Sequence, residues 1–373
     1  MRIVHVIARL NDGGPARIVA NLARMMRAHG HESIVLTGTT SDDEPDLADA
    51  LAADGLRVER IPALGRSARP IGDARAGLAL IARLRALAPD VVHTHTAKAG
   101  APGRITCRID RRPCLHTYHG HVLSGYFGTT VSAGLRAAER LLAHGAHHHA
   151  LTASQHHELA GRYRIGTRAR WHVLPPPVDP VVPRAAPWHA RLDLGAPRIG
   201  FLGRLAPVKD GALWLEALSW LTARRPVQGV ICGDGRERDA IIARATSLGV
   251  SVVVTGQVPA AEALGAFDLL LMSSRNEGLP LAAVEAMSAG VAVVAPAVGG
   301  LIDLGRAGAI ESAPRDAFAL ADACQRLLDG PELRARRVAA GRAVAAALAP
   351  MALAARYDAL YREVASDRCA RGS

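Results

Sequence analysis

Ile3-Val4-His5-Val6-Ile7-Ala8, then Asn11-Asp12-Gly13-Gly14-Pro15, then apolar residues at helical spacing from Ile18 through Met25, open the chain. The first run has the length and composition of a buried strand, the cluster after it supplies turn residues, and the third segment reads as a helix. Strand, glycine loop and helix together form the repeating unit of a parallel α/β sheet.

Working outward, the same rhythm returns at Ser33 to Leu36 (strand), Ala74 to Leu87 (helix) and Val91-Val92 (strand), so the first half is predicted to be doubly wound. Between Leu174 and Pro187 the sequence becomes Pro-Pro-Pro-Val-Asp-Pro-Val-Val-Pro-Arg-Ala-Ala-Pro, too rich in proline for a helix or a central strand, and this stretch reads as a linker. A second series begins with the strand Arg198 to Leu202, the loop Gly203 to Asp210 and the helix Ala212 to Thr222. It continues through strands at Gln228 to Cys232, Val252 to Thr255, Leu269 to Met272 and Val291 to Ala295, with helices at Asp239 to Leu248 and Leu281 to Ser288. From Pro314 onward the composition is helical, and Met351 to Val364 reads as a final amphipathic helix. The expected organisation is a Rossmann-like domain over residues 1–178, a linker over 179–197, a second Rossmann-like domain over 198–345, and a C-terminal helical segment over 346–373 that packs back on the first domain.

A length of 373 residues agrees with two domains, and 49% hydrophobic residues with 21% charged exclude a disordered chain. The net charge of +11 points to an anionic partner such as nucleic acid, a phosphorylated substrate or an acidic membrane surface. Only two of the 45 Lys and Arg residues are lysines, Lys98 and Lys209. With alanine abundant and aromatics at 3%, this bias has the character of a compositional drift, so surface arginine carries little functional information. The two retained lysines carry more, because a planar guanidinium does not reproduce a compact ammonium on a flexible stem. Cys107, Cys114, Cys232, Cys324 and Cys369 are odd in number and scattered without a C-x-x-C pair, as expected of a reduced cytoplasmic protein. The apolar run Ile3 to Ala8 falls short of the roughly 7 to 15 residues of a signal-peptide core. Ala286 to Ile302 approaches membrane-spanning length, but Gly290, Pro296, Gly299 and Gly300 break it into a helix end, a strand and a loop.

In open α/β sheets, ligands bind outside the carboxyl ends of strands, where loop amides and helix N-termini attract anions. Gly13-Gly14 is one such loop, though an ordinary β-to-α turn has the same sequence character. A stronger signal is Gly203-Arg204-Leu205-Ala206-Pro207-Val208-Lys209-Asp210, where Arg204 and Lys209 can clamp one diphosphate, arginine as a fork and lysine as a point charge. Next, Ser274-Arg275-Asn276-Glu277-Gly278-Leu279-Pro280-Leu281 leads to Glu285, placing two carboxylates eight positions apart, a little over two helical turns. Ionised carboxylates at such a site accept hydrogen bonds from sugar and ribose hydroxyls. His116, His119 and His121 fall within six residues at an expected strand end. His147-His148-His149 and His156-His157 read as solvated, since adjacent side chains diverge on a strand or a helix and do not converge on a metal.

Together, Gly203-Arg204-Leu205 with Lys209-Asp210, and Glu277-Gly278-Leu279-Pro280 leading to Glu285-Ala286-Met287, resemble the donor site of retaining glycosyltransferases of family 4. The likeness extends over nearly the whole chain. Gly13-Gly14-Pro15 resembles the first glycine loop of that family, and His93 to Gly100 with His116 to His121 resemble its acceptor-domain histidine loops. The resemblance implies the GT-B fold, α/β with two Rossmann-like doubly wound domains facing across a cleft. It implies that Arg204 and Lys209 hold the donor diphosphate, which Gly13 and Gly14 approach from the other domain. Glu285 is then expected to hold the ribose, and Glu277, with the amides of Gly278 and Leu279, the transferred sugar. His119 is expected near the anomeric centre, with Lys98 and His121 toward the acceptor or the cleft.

The reaction implied is retaining transfer of a hexose or N-acetylhexosamine from a nucleotide-diphosphate sugar, UDP-linked in the commonest case, to a hydroxyl acceptor such as a lipid-linked or cell-surface glycan precursor. No metal and no cofactor beyond the sugar nucleotide is implied, and the sequence has no Asp-x-Asp motif. The expected location is the cytoplasm, with peripheral association at the inner face of the membrane as an extension of the basic charge. Two departures stand out. Pro175-Pro176-Pro177-Val178-Asp179 occupies the place of the family's Pro-Asn-Gly-Val-Asp, and Gly299-Gly300-Leu301-Ile302-Asp303 that of a glycine loop leading to an acidic position. Two other readings compete: a sugar-nucleotide epimerase of the same fold, and a non-enzymatic protein binding nucleic acid or another anion. Few aromatics and no recognisable nucleic-acid module weigh against the last.

Overall fold

The computed structural model describes residues 1–373 apart from 41–45, 65–69, 121–122, 124–127 and 368–373. It divides into two compact units, Met1–Pro177 with Pro350–Ser373, and Val178–Ala349.

The first unit holds seven strands, β1 (Arg2–Ile7), β2 (Glu32–Thr37), β3 (Arg57–Arg60), β4 (Val91–His95), β5 (Cys114–Tyr118), β6 (His147–Ala150) and β7 (Trp171–Val173). They pair in parallel in the order β3-β2-β1-β4-β5-β6-β7. Their central members are buried on both faces, as a sheet covered by helices requires. One face packs Val4, Val6, Ile34, Leu36 and Val92 on Leu80 and Leu84. The other packs Ile7 and Val35 on Ala16, Val19 and Ala23 of the helix Gly14–Ala28. That helix starts where Gly13 leaves the extended region and Pro15 enters the first turn, where a missing amide hydrogen costs nothing. The helix Pro350–Ser366 belongs to this unit, burying Leu353, Tyr357, Leu360, Tyr361 and Val364. Tyr357 also donates its hydroxyl to the Pro175 carbonyl at 3.1 Å.

The second unit has six strands, β8 (Arg198–Leu202), β9 (Gln228–Cys232), β10 (Val252–Gly256), β11 (Leu269–Leu271), β12 (Ala292–Pro296) and β13 (Glu311–Ala313). Their order is β10-β9-β8-β11-β12-β13, again parallel throughout. Its core is apolar, with Phe201, Trp214, Leu218, Ile231, Leu271, Val294, Leu320 and Leu327 in one cluster. The apolar stretch Ala286 to Ile302 is the end of the helix Leu281–Ala289, strand β12 and a loop into the helix Leu301–Arg306. Among the described residues, no single helix is long and apolar enough to cross a membrane.

Within the second unit, residues 179–197 are held by Val181 N–H on Ser288 Oγ (2.9 Å), Arg184 on Glu262 (2.6 Å) and His189 Nε2 on the Glu262 carbonyl (2.9 Å). One expectation needs correction. His147-His148-His149 are not solvated: they form β6, each buried. His147 Nδ1 meets His172 on β7 and His149 Nδ1 meets Thr117 on β5, cross-strand bonds of the kind that polar side chains need in a core, whereas His148 Nε2 bonds the Ala143 carbonyl and its Nδ1 finds no partner among the described residues.

Both sheets reverse winding direction at their middle. In the first, the chain runs outward from β1 to β3 and then returns to place β4 on the opposite side of β1. In the second, β8 and β11 stand in the same relation. The crevice beyond the carboxyl ends of such a strand pair is where open α/β sheets bind ligands.

Candidate functional site

In the second unit, the loops leaving β8 and β11 meet. Lys209, from the first loop, places Nζ 2.5 Å from Glu277 Oε1, and Ser274 Oγ donates to the same oxygen at 2.7 Å. The neighbouring Asp210 fixes this loop. It adopts left-handed backbone angles at φ +52°, uncommon for a residue with a Cβ. Three groups hold it there: Ser273 Oγ on the Lys209 and Asp210 carbonyls (2.8 and 2.9 Å), Arg275 Nε on its carboxylate (3.1 Å), and Arg315 on the same carboxylate oxygen. Glu277 is supported from behind by the loop after β12. Gly300 N–H donates to the Glu277 carbonyl at 3.0 Å, and a Cβ on Gly299, at φ +49°, would lie 2.0 Å from that carbonyl oxygen. Only glycine permits that approach. Gly278 and Leu279 are buried and lead through Pro280 into the helix Leu281–Ala289, whose first turn has no side-chain cap. Its leading amides are therefore available to an anion or a hydroxyl oxygen. Glu285 lies on this helix at 2% exposure. Arg204 is exposed on the loop after β8.

In the first unit, Gly13 and Gly14 form the uncapped start of the helix Gly14–Ala28, beyond the carboxyl end of β1. A Cβ on Gly14 would meet nothing within 4 Å, so the backbone there is open to a ligand. Lys98 lies partly buried on the helix Thr96–Ile109, which follows β4. His119 follows β5, and His121 lies outside the described residues.

Beneath these loops the sheet is polar. His5 of β1, His93 and His95 of β4, Thr117 of β5 and His149 of β6 are all buried. Hydrogen bonds link Tyr361 Oη to His93 Nδ1 (2.8 Å), His93 Nε2 to Thr117 Oγ1 (2.6 Å), Thr117 Oγ1 to His149 Nδ1 (2.7 Å) and His149 Nε2 to the Leu174 carbonyl (2.7 Å). Because a carbonyl only accepts, the direction of the whole row is determined. His149 donates from Nε2 and accepts at Nδ1 from Thr117, Thr117 accepts from His93 Nε2–H, and His93 Nδ1 accepts from the Tyr361 hydroxyl. Burial keeps these rings neutral, lowering His149 to about 4 and His93 well below its ordinary value. Ring nitrogens of His5, His93 and His95 all lie within 4.8 Å of one another, a spacing that suggests a metal. Yet His93 already commits both nitrogens, one as donor and one as acceptor, so the three could share an ion only by breaking that row.

The structure thus brings Lys209 together with Glu277, and aligns Gly278, Leu279 and Glu285 on the turn and helix behind them. Lys209 is paired with Glu277, while Arg204 lies exposed on the same loop. Sequence reasoning missed Ser273, Ser274 and Asp210 as the supports of that pair. It also read His93 and His95 as loop residues, whereas they lie on β4; their i, i+2 spacing, which puts both on one face of a strand, was the available signal.

Comparison with known proteins agrees along the chain. Residues 12–182 match the family described as Glycosyltransferase Family 4, and residues 196–330 match Glycosyl transferases group 1. A GDP-mannose-dependent alpha-mannosyltransferase of Mycolicibacterium smegmatis is 31% identical over 312 residues, covering 79% of this chain and 78% of that protein. A D-inositol 3-phosphate glycosyltransferase of Frankia alni is 31% identical over 366 residues, covering 88% of each. Among solved structures, the sucrose-phosphate synthase of Thermosynechococcus elongatus superposes with a TM-score of 0.80 at 22% identity, covering 98% of this chain and 99% of that one. The Anabaena protein HepE, in complex with UDP and glucose, gives 0.79 at 20% identity, covering 97% and 100%.

Proposed function

Because the chain belongs to glycosyltransferase family 4, with the GT-B fold, we propose that it moves a hexose or N-acetylhexosamine from a nucleotide-diphosphate sugar to a hydroxyl acceptor with retention at the anomeric carbon. The observation that carries this reading is the Lys209–Glu277–Ser274 cluster at the carboxyl ends of β8 and β11. An ammonium there offsets the charge that grows on a departing diphosphate, with Arg204 on the same loop as a second cation. Glu277, oriented by its two donors and by the Gly299–Gly300 loop, accepts hydrogen bonds from the hydroxyls of the transferred sugar, and Glu285 from those of the ribose. The acceptor oxygen bonds to the anomeric carbon on the face the diphosphate leaves, and the departing phosphate oxygen takes the hydroxyl proton. No side-chain nucleophile takes part. Transfer needs no divalent metal because the two cations serve the leaving group, so EDTA is expected to leave the rate unchanged. His119 and the Gly13–Gly14 loop serve the substrate from the first unit, and the reaction runs in the cytoplasm.

GDP-mannose is the first donor to test, given the relatives named as GDP-mannose-dependent. UDP-sugars, expected from the resemblance, come second. D-inositol 3-phosphate heads the acceptor series on the strength of the relatives named for it, followed by lipid-linked glycan precursors. The assay is nucleotide release with product identification by mass spectrometry. Glu285→Ala is expected to lose transfer while retaining its fold. No release from any nucleotide sugar at high protein concentration, or full activity in that variant, would sink the proposal.

A further inference from the structure

The helix Thr129–Leu142, which follows β5 in the first unit, has its polarity turned inside out. An outer helix of an α/β sheet ordinarily buries an apolar stripe and shows charge to solvent. Here the buried positions are Ser132 and Glu139, with Leu135, Arg136 and Leu142 half-buried, whereas Val131, Ala133, Gly134, Ala137, Ala138 and Leu141 are exposed. The Glu139 carboxylate is occupied from inside. Arg104, on the neighbouring helix Thr96–Ile109, forks onto it at 2.9 and 3.0 Å, and Tyr118 Oη donates to it at 3.3 Å. Burying such a pair costs desolvation that a leucine in the same place would avoid, and leaving Val131 and Leu141 outside forfeits their burial. Charge inward and methyl groups outward is a poor arrangement against water and a good one against an apolar surface.

The helix Thr96–Ile109 lies beside it, because β4, β5 and β6 are consecutive neighbours joined by parallel crossovers. Its outward residues Ala97, Ile105 and Ile109 add to the apolar surface, and Ile105, Ile109, Val131 and Leu141 are each half or more exposed. Arg108, Arg111 and Arg140 are exposed with them. The compositional bias of the chain explains why these cations are arginines; it does not explain where the acids lie. From Thr96 to Leu142 there are seven cations and two acids. Arginines cover both acids: Arg104 takes Glu139, and Arg85 (2.7 Å) and Arg112 (3.7 Å) take the nearly sealed Asp110. Other outer helices interleave the two signs at their surfaces, Glu216 meeting Arg244, Asp322 meeting Arg326 and Asp358 meeting Arg362. This pair of helices shows methyl groups and cations instead.

We propose that this face docks the first unit on an anionic lipid bilayer, with Val131 and Leu141 entering the boundary of the acyl chains and Arg108, Arg111 and Arg140 at the phosphates. A bilayer answers both features at once, apolar depth for the methyl groups and negative charge for the cations. A second copy of the chain answers only one, since a two-fold contact sets this face against itself and arginine against arginine. The helix grows from the loop that carries His119, so docking favours an acceptor borne by a lipid; this last step alone rests on the transferase reading.

The test is sedimentation of the full chain, without sugar nucleotide or acceptor, with vesicles of phosphatidylcholine alone or containing about one-third phosphatidylglycerol. The wild type is expected to bind the anionic vesicles about tenfold more tightly than the neutral ones, and to be partly released by high salt. Val131→Gln combined with Leu141→Gln, at exposed positions that leave the fold intact, should weaken that binding about tenfold. Arg108→Gln combined with Arg111→Gln should weaken it comparably and flatten its salt dependence, while Trp220→Gln, on the second unit, should change nothing. A wild type that stays in solution, or binds both vesicles alike, would overturn the proposal. Full binding by the Val131 and Leu141 variant would overturn it too, leaving bare arginine charge as the cause. A dimer that the same variant breaks, with no vesicle binding, would give the face to a second copy. Because no substrate is present, these outcomes leave the transferase reading untouched; vesicle binding without transfer from any nucleotide sugar would keep the docking face and remove the transferase.

Discussion

Each sheet gathers polar groups at the carboxyl ends of two central strands, β1 and β4 in the first unit and β8 and β11 in the second, but the two gatherings are chemically opposite. In the first unit the groups are imidazoles and hydroxyls, they reach down into the strands, and burial holds the rings neutral. In the second the carboxyl ends of β8 and β11 are apolar and the polar groups beyond them include paired ions on the loops: Lys209 with Glu277, and Asp210 with Arg275 and Arg315. A neutral ring with its hydrogen bonds made can enter a core, whereas an ion is tolerated near the surface with a partner. The topology supplies the same place twice. The side chains decide whether it is a rigid neutral interior or a charged rim that can exchange partners.

Acid should separate the two units most strongly. His5, His119 and His148 are lowered to about 3 and His149 to about 4, mainly by burial. Below pH 6.5 the unfolded chain therefore binds protons that the folded unit refuses. The stabilisation is complete above that value and drains as pH falls, by about 1.4 kcal/mol per unit for each ring, or about 5 kcal/mol per unit for the four together. The first unit should open near pH 5. In the second, Asp268 and Glu311 sit below their ordinary values; burial opposes this, but hydrogen bonds from Arg198 and from Arg326 and Arg337 outweigh it. These acids keep stabilising the second unit until the pH falls to their lowered values. Pulsed hydrogen exchange should show β1 and β4 to β6 losing protection while β8 to β12 keep it; loss at one common pH would break the contrast. Next in size, Lys209→Met should lower kcat by about 10² to 10³ through the lost leaving-group charge. Its thermal midpoint should stay within a few degrees of the wild type, since the pair is partly exposed and exposed pairs add little. A large drop in midpoint with activity retained would make the pair structural. The smallest effect is expected from Tyr361→Phe, which leaves the His93 Nδ1 lone pair unpaired and should cost about 1 to 3 kcal/mol, read as a lower urea midpoint for the first unit alone.

The alternation of strand, loop and helix was legible because period-2 and period-3.6 patterns are local. Gly203 to Asp210 and Glu277 to Glu285 were legible because each motif is contiguous. The histidine strands were not. A run such as His147-His148-His149 reads as polar until its partners are known, and those partners arrive through register: His116 beside His148, and Thr117 beside His149. The Lys209–Glu277 pair joins residues 68 positions apart, so the sequence placed both in the candidate site without showing that they pair. The partners of the proline-rich stretch were hidden for a related reason: its amides and side chains reach Glu262 and Ser288, far along the chain.

The division of the first unit between the two ends of the sequence governs the order in which the molecule can assemble during synthesis. Tyr361, whose hydroxyl completes the His93 row, emerges 268 residues after that histidine. Closing a flexible loop of that length would carry an entropic cost of about 5 kcal/mol. The second unit removes most of it, because its own two ends are joined by the Val178 N–H on the Leu348 carbonyl at 2.9 Å. Once folded, it acts as a short staple that delivers the last helix to the sheet. On the ribosome, the unit begun first is therefore finished last, and its neutral histidine interior closes only after the second unit has formed.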